Sequence, residues 1–118
     1  MTSLLPMLQS VARDVQPQVQ SQLGGFFGGM VRAYLPQTWV FRTEQEVASL
    51  TVERSGVVTA SDGPSTNPDV TIETTHARLE AALVERSRAK APPGAFHVTA
   101  HTSKGRTAFD YLRGRLGL

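Results

Sequence analysis

Residues 56–84, GVVTASDGPSTNPDVTIETTHARLEAALV, set an order of strand, polar turn, strand and helix, with nothing between the last two. The turn SDGPSTNPD is dense in residues that bend a chain: Asp62-Gly63, Pro64, Asn67-Pro68 and Asp69. After it, VTIET alternates apolar and polar residues, which is the period of a half-buried strand with Val70 and Ile72 on one face. Thr74 or Thr75 can cap the helix that follows, expected over residues 76–88, with Leu79, Leu83 and Val84 turned inward. Ala91-Pro92-Pro93-Gly94 stops that helix.

Upstream, three strands are expected in quick succession. Residues 38–44 place Trp39 and Phe41 on one face, with Val40 and Arg42 on the other. Residues 47–54 place Ala48, Leu50 and Val52 opposite Ser49, Thr51 and Glu53, an alternation that predicts one buried and one wet face. Arg54-Ser55-Gly56 is a short turn into a third strand over 57–60, so these three form an antiparallel meander. Downstream, Phe96, Val98 and Ala100 alternate with His97, Thr99 and His101 in a fifth strand. A final helix from about Ser103 carries Phe109, Leu112 and Leu116 on one face.

Residues 3–35 are apolar at helical spacing, from Leu4, Leu5 and Leu8 to Val31 and Tyr34. Pro17 interrupts the pattern, which predicts two helical pieces or a kink. Gly24-Gly25 and Gly28-Gly29 flank Phe26-Phe27, and each glycine inside a helix costs about 1 kcal/mol relative to Ala. Two readings of GGFFGGM stand side by side. It is a mobile apolar flap or membrane-touching surface, with Phe26, Phe27 and Met30 as its contacts, or it packs closely on the sheet or on a second copy. The expected fold is α+β: about five strands in a largely antiparallel sheet, with helices covering one face. Residues 1–118 read as a single domain, with 1–36 its N-terminal helical segment and 37–118 the sheet and helix core.

At this point the pattern resembles the sterol-carrier-protein type 2 family of lipid-binding domains. The residues that carry the likeness are the meander, then Ser61-Asp62-Gly63-Pro64 with Asn67-Pro68-Asp69-Val70-Thr71-Ile72. The helix opened by Thr74 or Thr75, the late strand 96–100 and the amphipathic helix 107–116 complete it. The resemblance covers about residues 38–116 and, more loosely, 4–35. The chain departs from the family pattern in the basic, Pro-rich RSRAKAPPGAFHV and in His101-Thr102-Ser103-Lys104-Gly105. The resemblance implies an apolar ligand, a fatty acyl, isoprenoid or sterol-like lipid, in a tunnel between sheet and helices. The lining expected is Phe26, Phe27, Met30, Trp39, Phe41, Leu83, Phe96, Val98, Phe109, Leu112 and Leu116. Each of these side chains, taken singly, is also an ordinary core residue.

Charge is unevenly spread. Residues 86–118 hold seven Arg and Lys against one Asp, whereas the whole chain is only +2. Such a basic third can attract an anionic partner, although cations near helix C-termini also simply favour the dipole. Arg106, Arg113 and Arg115 are the candidate contacts for an anionic head, and a peripheral membrane contact through them is expected to accompany lipid binding. Nucleic acid is not expected as a partner, because stacking aromatics are not interleaved with the arginines.

Catalytic signatures are missing from the sequence. There is no cysteine, no G-x-S-x-G, no P-loop and no dinucleotide fingerprint. His97 and His101 share a strand face but sit about 13 Å apart at ~3.3 Å per residue, too far for one metal. All three histidines, with Glu44, Glu46, Glu53 and Glu73, read as solvated surface groups. The expectation is therefore no enzyme, no cofactor and no metal. No apolar run approaches the ~20 residues of a membrane span, and MTSLLPMLQS lacks the features of a signal peptide. A cysteine-free chain of this kind suits the cytoplasm. The alternative to a lipid carrier is a homodimeric or partner-binding module whose cavity is filled by its own side chains.

Overall fold

The structure is a computed structural model that describes residues 3–24, 33–83 and 96–116; the side chains of 22, 23, 82, 83 and 111–116 lie outside that description. The elements run α1 (Leu4–Leu23), β1 (Gln37–Arg42), β2 (Val47–Val52), β3 (Val58–Asp62), β4 (Val70–Glu73), α2 (His76–Leu83), β5 (His97–Ala100) and α3 (Ser103–Leu116). The five strands form one sheet in the order β3-β2-β1-β4-β5. Pairings β1–β2, β2–β3 and β4–β5 are antiparallel, and β1–β4 is parallel. The expected α+β fold with a largely antiparallel sheet is the observed one.

The meander forms as its turns dictate. Gly56 has φ +90° and Gly63 has φ +84°, a region that side chains with a Cβ rarely adopt. Gly56 N–H donates to the Glu53 carbonyl and Gly63 N–H to the Val47 carbonyl, which closes β3 onto β2. The register then aligns Trp39 with Leu50 and Val70, and Phe41 with Ala48 and Ile72. Ile72 in turn aligns with Val98 across β5. Because side chains alternate across a sheet, all of these point to the same face. On that face α1 packs over β2 and β3, while α3 packs over β4 and β5. Leu4, Met7 and Leu8 of α1 and Leu79 of α2 join Trp39, Phe41, Ala48, Val70 and Ile72 in one buried cluster.

Four expectations need correction. α1 is one helix from Leu4 to Leu23 with Pro17 inside it, so of the two expectations at Pro17 the division into two pieces is the one overturned. Proline removes the N–H that would bond the Arg13 carbonyl. Tertiary contacts hold the turn that leads into Pro17: Ala12 is buried, and the Gln16 side chain accepts from Val58 N–H at 3.0 Å. Second, the sheet face away from the helices is not uniformly wet. Val40 is 2% exposed and Ser49 5%. Residues 63–69 must return the chain from β3 past β2 and β1 to β4, and the Ser49 hydroxyl donates to the Gly63 carbonyl at 2.8 Å on that side. Third, His76 is 1% exposed, a buried residue and not a solvated one. Fourth, Glu46 is only one-third exposed and is engaged with α1. Helix 76–88 is described only to Leu83, and the stop at 91–94 lies outside the described residues.

Candidate functional site

The candidate site is the apolar face of the sheet together with the helices upon it. β1 brings Trp39 and Phe41 to its centre, both almost wholly buried. Trp39 is fixed at its polar end, since its Nε1–H donates to Gln37 Oε1 at 3.0 Å. Gln37 is itself anchored by donating from Nε2 to the Tyr34 carbonyl at 2.9 Å. A buried indole N–H needs such a partner. From α3, the Phe109 ring meets Trp39 with centroids 6.0 Å apart and planes tilted by 47°. Phe96, Val98, Leu50, Ala60 and Ala108 pack as half-buried neighbours against the cluster that contains Trp39 and Phe41. The structure thus brings together Trp39, Phe41, Phe96, Val98 and Phe109, five of the predicted lining residues.

The remaining lining residues are placed less fully. Leu83 ends α2, and Leu112 and Leu116 belong to α3, with side chains outside the described residues. Phe26, Phe27 and Met30 also lie outside the described residues. Arg106 is exposed and lies 4.0 Å from Asp110, one turn along α3. Arg113 and Arg115 follow on the same helix, their side chains again outside the description.

Two open depressions mark the described surface. One, of about 430 Å³, lies between α1 and β3 and is lined by Gln9, Arg13, Gln16 and Val58 among others. The other, of about 560 Å³, lies at the start of α3 beside His101, Thr102 and Arg106. Neither is lined by Trp39, Phe41, Phe96, Val98 or Phe109. Among the described residues, Leu4, Met7, Leu8, Leu79 and Phe109 pack on the apolar face.

A buried carboxylate ties α3 to the sheet, on a residue whose sequence context reads as a turn former. Asp69 is 5% exposed. Its Oδ2 accepts from Thr38 N–H at 2.9 Å, and its Oδ1 accepts from the Thr102 hydroxyl at 2.7 Å. Its backbone N–H donates to the Thr38 carbonyl, and its carbonyl accepts from His101 N–H, each at 2.8 Å. Thr102 in turn caps α3 by accepting from Gly105 N–H at 3.0 Å. Lys104 stands 3.7 Å from the same carboxylate and donates to the Pro36 carbonyl at 2.6 Å. One residue, through its carboxylate and its backbone, therefore sets β1, β4, β5 and α3 relative to each other. The Asn-Pro-Asp sequence before a strand was the available signal.

A second cluster sits at the β1–β2 turn. Thr43 shapes that turn by accepting from Gln45 N–H and Glu46 N–H. Glu44 Oε2 accepts from His76 N–H at 2.9 Å, and Glu46 Oε2 accepts from Leu4 N–H at 2.7 Å. Two carboxylates two residues apart thus cap two helices, α2 and α1, where the dipole favours negative charge. Thr75 completes the α2 cap by accepting from Arg78 N–H at 3.2 Å, as one of the two threonines was expected to do. Hydrogen bonds hold the Glu44 carboxyl below its ordinary value, first from its own backbone N–H and then from that of His76. On the opposite sheet face, His97 and His101 are exposed, and His101 Nε2 lies 2.8 Å from Thr71 Oγ1. No metal-binding group of three or more ligands, and no helix long and apolar enough to cross a membrane, occurs among the described residues.

A meander joined through a crossover to a parallel fourth strand, with helices on one face, is the fold of the sterol-carrier-protein type 2 domains. No family model and no curated protein matches the sequence, so the likeness rests on solved structures. The sterol carrier protein 2 like 2 of Aedes aegypti is similar with a TM-score of 0.53 and 12% identity, over 93% of this chain and 99% of that one. UbiJ-SCP2, a ubiquinone synthesis protein, gives 0.51 and 12% over 98% and 96%. The stereoselective inverting sec-alkylsulfatase Pisa1 from Pseudomonas sp. gives 0.61 and 17% over 94% of this chain. This chain spans only 16% of that enzyme's length. At these identities the likeness is one of fold.

Proposed function

We propose that the protein binds or carries an apolar ligand, a fatty acyl chain, isoprenoid or sterol-like lipid, between the sheet and its helices, without reacting it. The observation that carries this reading is the unbroken apolar face from Leu50 through Trp39 and Phe41 to Ile72 and Val98, roofed by helices. The same fold, over nearly its whole length, is that of a protein named a sterol carrier. Binding would exchange side-chain packing for ligand hydrocarbon, each buried CH₂ contributing about 0.8 kcal/mol. Phe26, Phe27, Met30, Leu83, Leu112 and Leu116 would extend the lining. Arg106, Arg113 and Arg115 would meet an anionic head or a membrane surface, and the protein would work in the cytoplasm.

A second reading is favoured by the packing itself. Trp39 and Phe41 are buried against Phe109, Met7 and Leu8, and the sulfatase match corresponds to one part of a longer chain. On this reading the domain is a homodimeric or partner-binding module with a self-filled core.

Native mass spectrometry of the freshly purified protein, followed by organic extraction, separates the two. A near-stoichiometric apolar mass establishes carriage and identifies the ligand class. An apo mass, together with failure to take up fluorescent fatty acids, rejects carriage and leaves the interaction module.

A further inference from the structure

The turn between β1 and β2 holds a single oxygen between two competing nitrogens. Glu46 Oε2 lies 2.7 Å from Leu4 N, the first residue of α1, and 3.9 Å from His76 Nδ1. The imidazole is 1% exposed and the carboxylate 33%. The bond to Leu4 is the tie that holds α1 down at its N-terminus, and the first two turns of that helix supply Leu4, Met7 and Leu8 to the buried cluster.

We propose that Glu46 and His76 form a pH-operated latch on α1, closed when His76 is neutral and loosened when it is protonated. Histidine is the side chain whose charge ordinarily changes between about pH 5 and pH 8. A neutral imidazole leaves the carboxylate free to serve Leu4 N–H and the α1 dipole. An imidazolium attracts the same oxygen away from Leu4 and neutralises the charge that the α1 terminus relies on. Both effects act in one direction. The other charges near this corner are Glu44 on the same turn, which holds His76 N–H and also attracts its imidazolium, Arg42 and Glu73 at the ends of β1 and β4, and Arg78 and Glu80 on α2. α1 contributes no charged residue before Arg13. Glu46 is the carboxylate that α1 and the imidazole share. The latch is independent of whether a lipid binds, but its opening would uncover Trp39 and Phe41.

Amide exchange of the full chain, corrected for intrinsic rates, tests this between about pH 8 and pH 5. Protection of the Met7 and Leu8 amides should fall about fivefold to tenfold on acidification, the size of losing one helix cap. Glu46→Gln keeps an oxygen for Leu4 N–H but removes the charge, so its α1 protection should not vary with pH. Unchanged protection in the wild type, or the same fall in Glu46→Gln, overturns the latch. Should that variant not fold, the wild-type NMR titration decides. The His76 ring and the Leu4 amide should shift with one midpoint, and a ring that titrates without moving Leu4, or does not titrate across the range, overturns the proposal.

Discussion

Gly105 lies directly against Asp69: a Cβ added at this glycine would collide with the Asp69 carbonyl oxygen and come within 2.9 Å of its carbonyl carbon. The contact lets the first turn of α3 rest on the start of β4. It also explains why a glycine occupies a helix here.

Gly105→Ala should therefore destabilise the protein. In an ordinary helix the same change stabilises by about 1 kcal/mol. Here the backbone of Asp69 cannot yield cheaply, and overpacking of this kind costs about 1–3 kcal/mol. Urea unfolding gives the sign directly, and a rise in midpoint would show that the contact relaxes.

Asp69→Ala should cost about 3 kcal/mol or more, because it leaves Thr38 N–H and the Thr102 hydroxyl without their carboxylate. Thr102→Ala removes only the α3 cap and one of those bonds, so about 1 kcal/mol is expected. The two losses should not add in the double variant, since the residues share a bond. Thermal or chemical denaturation of the four proteins measures this.

The Glu44 carboxyl is depressed in the folded state, by its own backbone N–H and then by that of His76. Its contribution to stability is therefore present above the unfolded glutamate value of about 4.3 and is lost as pH falls through the lower folded value. Glu44→Gln, which mimics the protonated side chain, should be less stable than wild type at neutral pH. The gap should close below about pH 4.3, as the wild type takes up its proton. Parallel denaturation curves at several pH values check the convergence.

Pro17→Ala should raise stability by on the order of 1–3 kcal/mol, because proline interrupts a helix that tertiary contacts hold continuous. The melting temperature should rise, and helical circular dichroism should not decrease.

Periodicity made much of this fold legible. Trp39, Phe41, Leu50 and Ile72 lie on the face their alternation indicates, and Thr75 caps the helix after VTIET. What escaped was what distant residues do to local signals. Pro17 reads as a break until Gln16 is seen bonded to Val58, far along the chain. His76 reads as a polar helix start until α1, absent from any local window, packs over α2. Asp69 reads as a turn former because the partners of its carboxylate, Thr38 and Thr102, lie more than thirty positions away on either side. The predicted site was legible as an apolar face, but its state was not: periodicity cannot distinguish a face filled by Leu4, Met7, Leu8 and Phe109 from one left open.

The parallel pairing of β1 with β4 has a further consequence. It is a seam between two halves, one running from α1 to β3 and the other from β4 to α3. A parallel seam can slide, and a slip of one residue would turn every side chain of the second half to the wrong face. Asp69 stands at the first rung and grips Thr38 through both its backbone N–H and its carboxylate. It acts as the index mark of the sheet, the residue that tells the second half of the chain where along the first to begin.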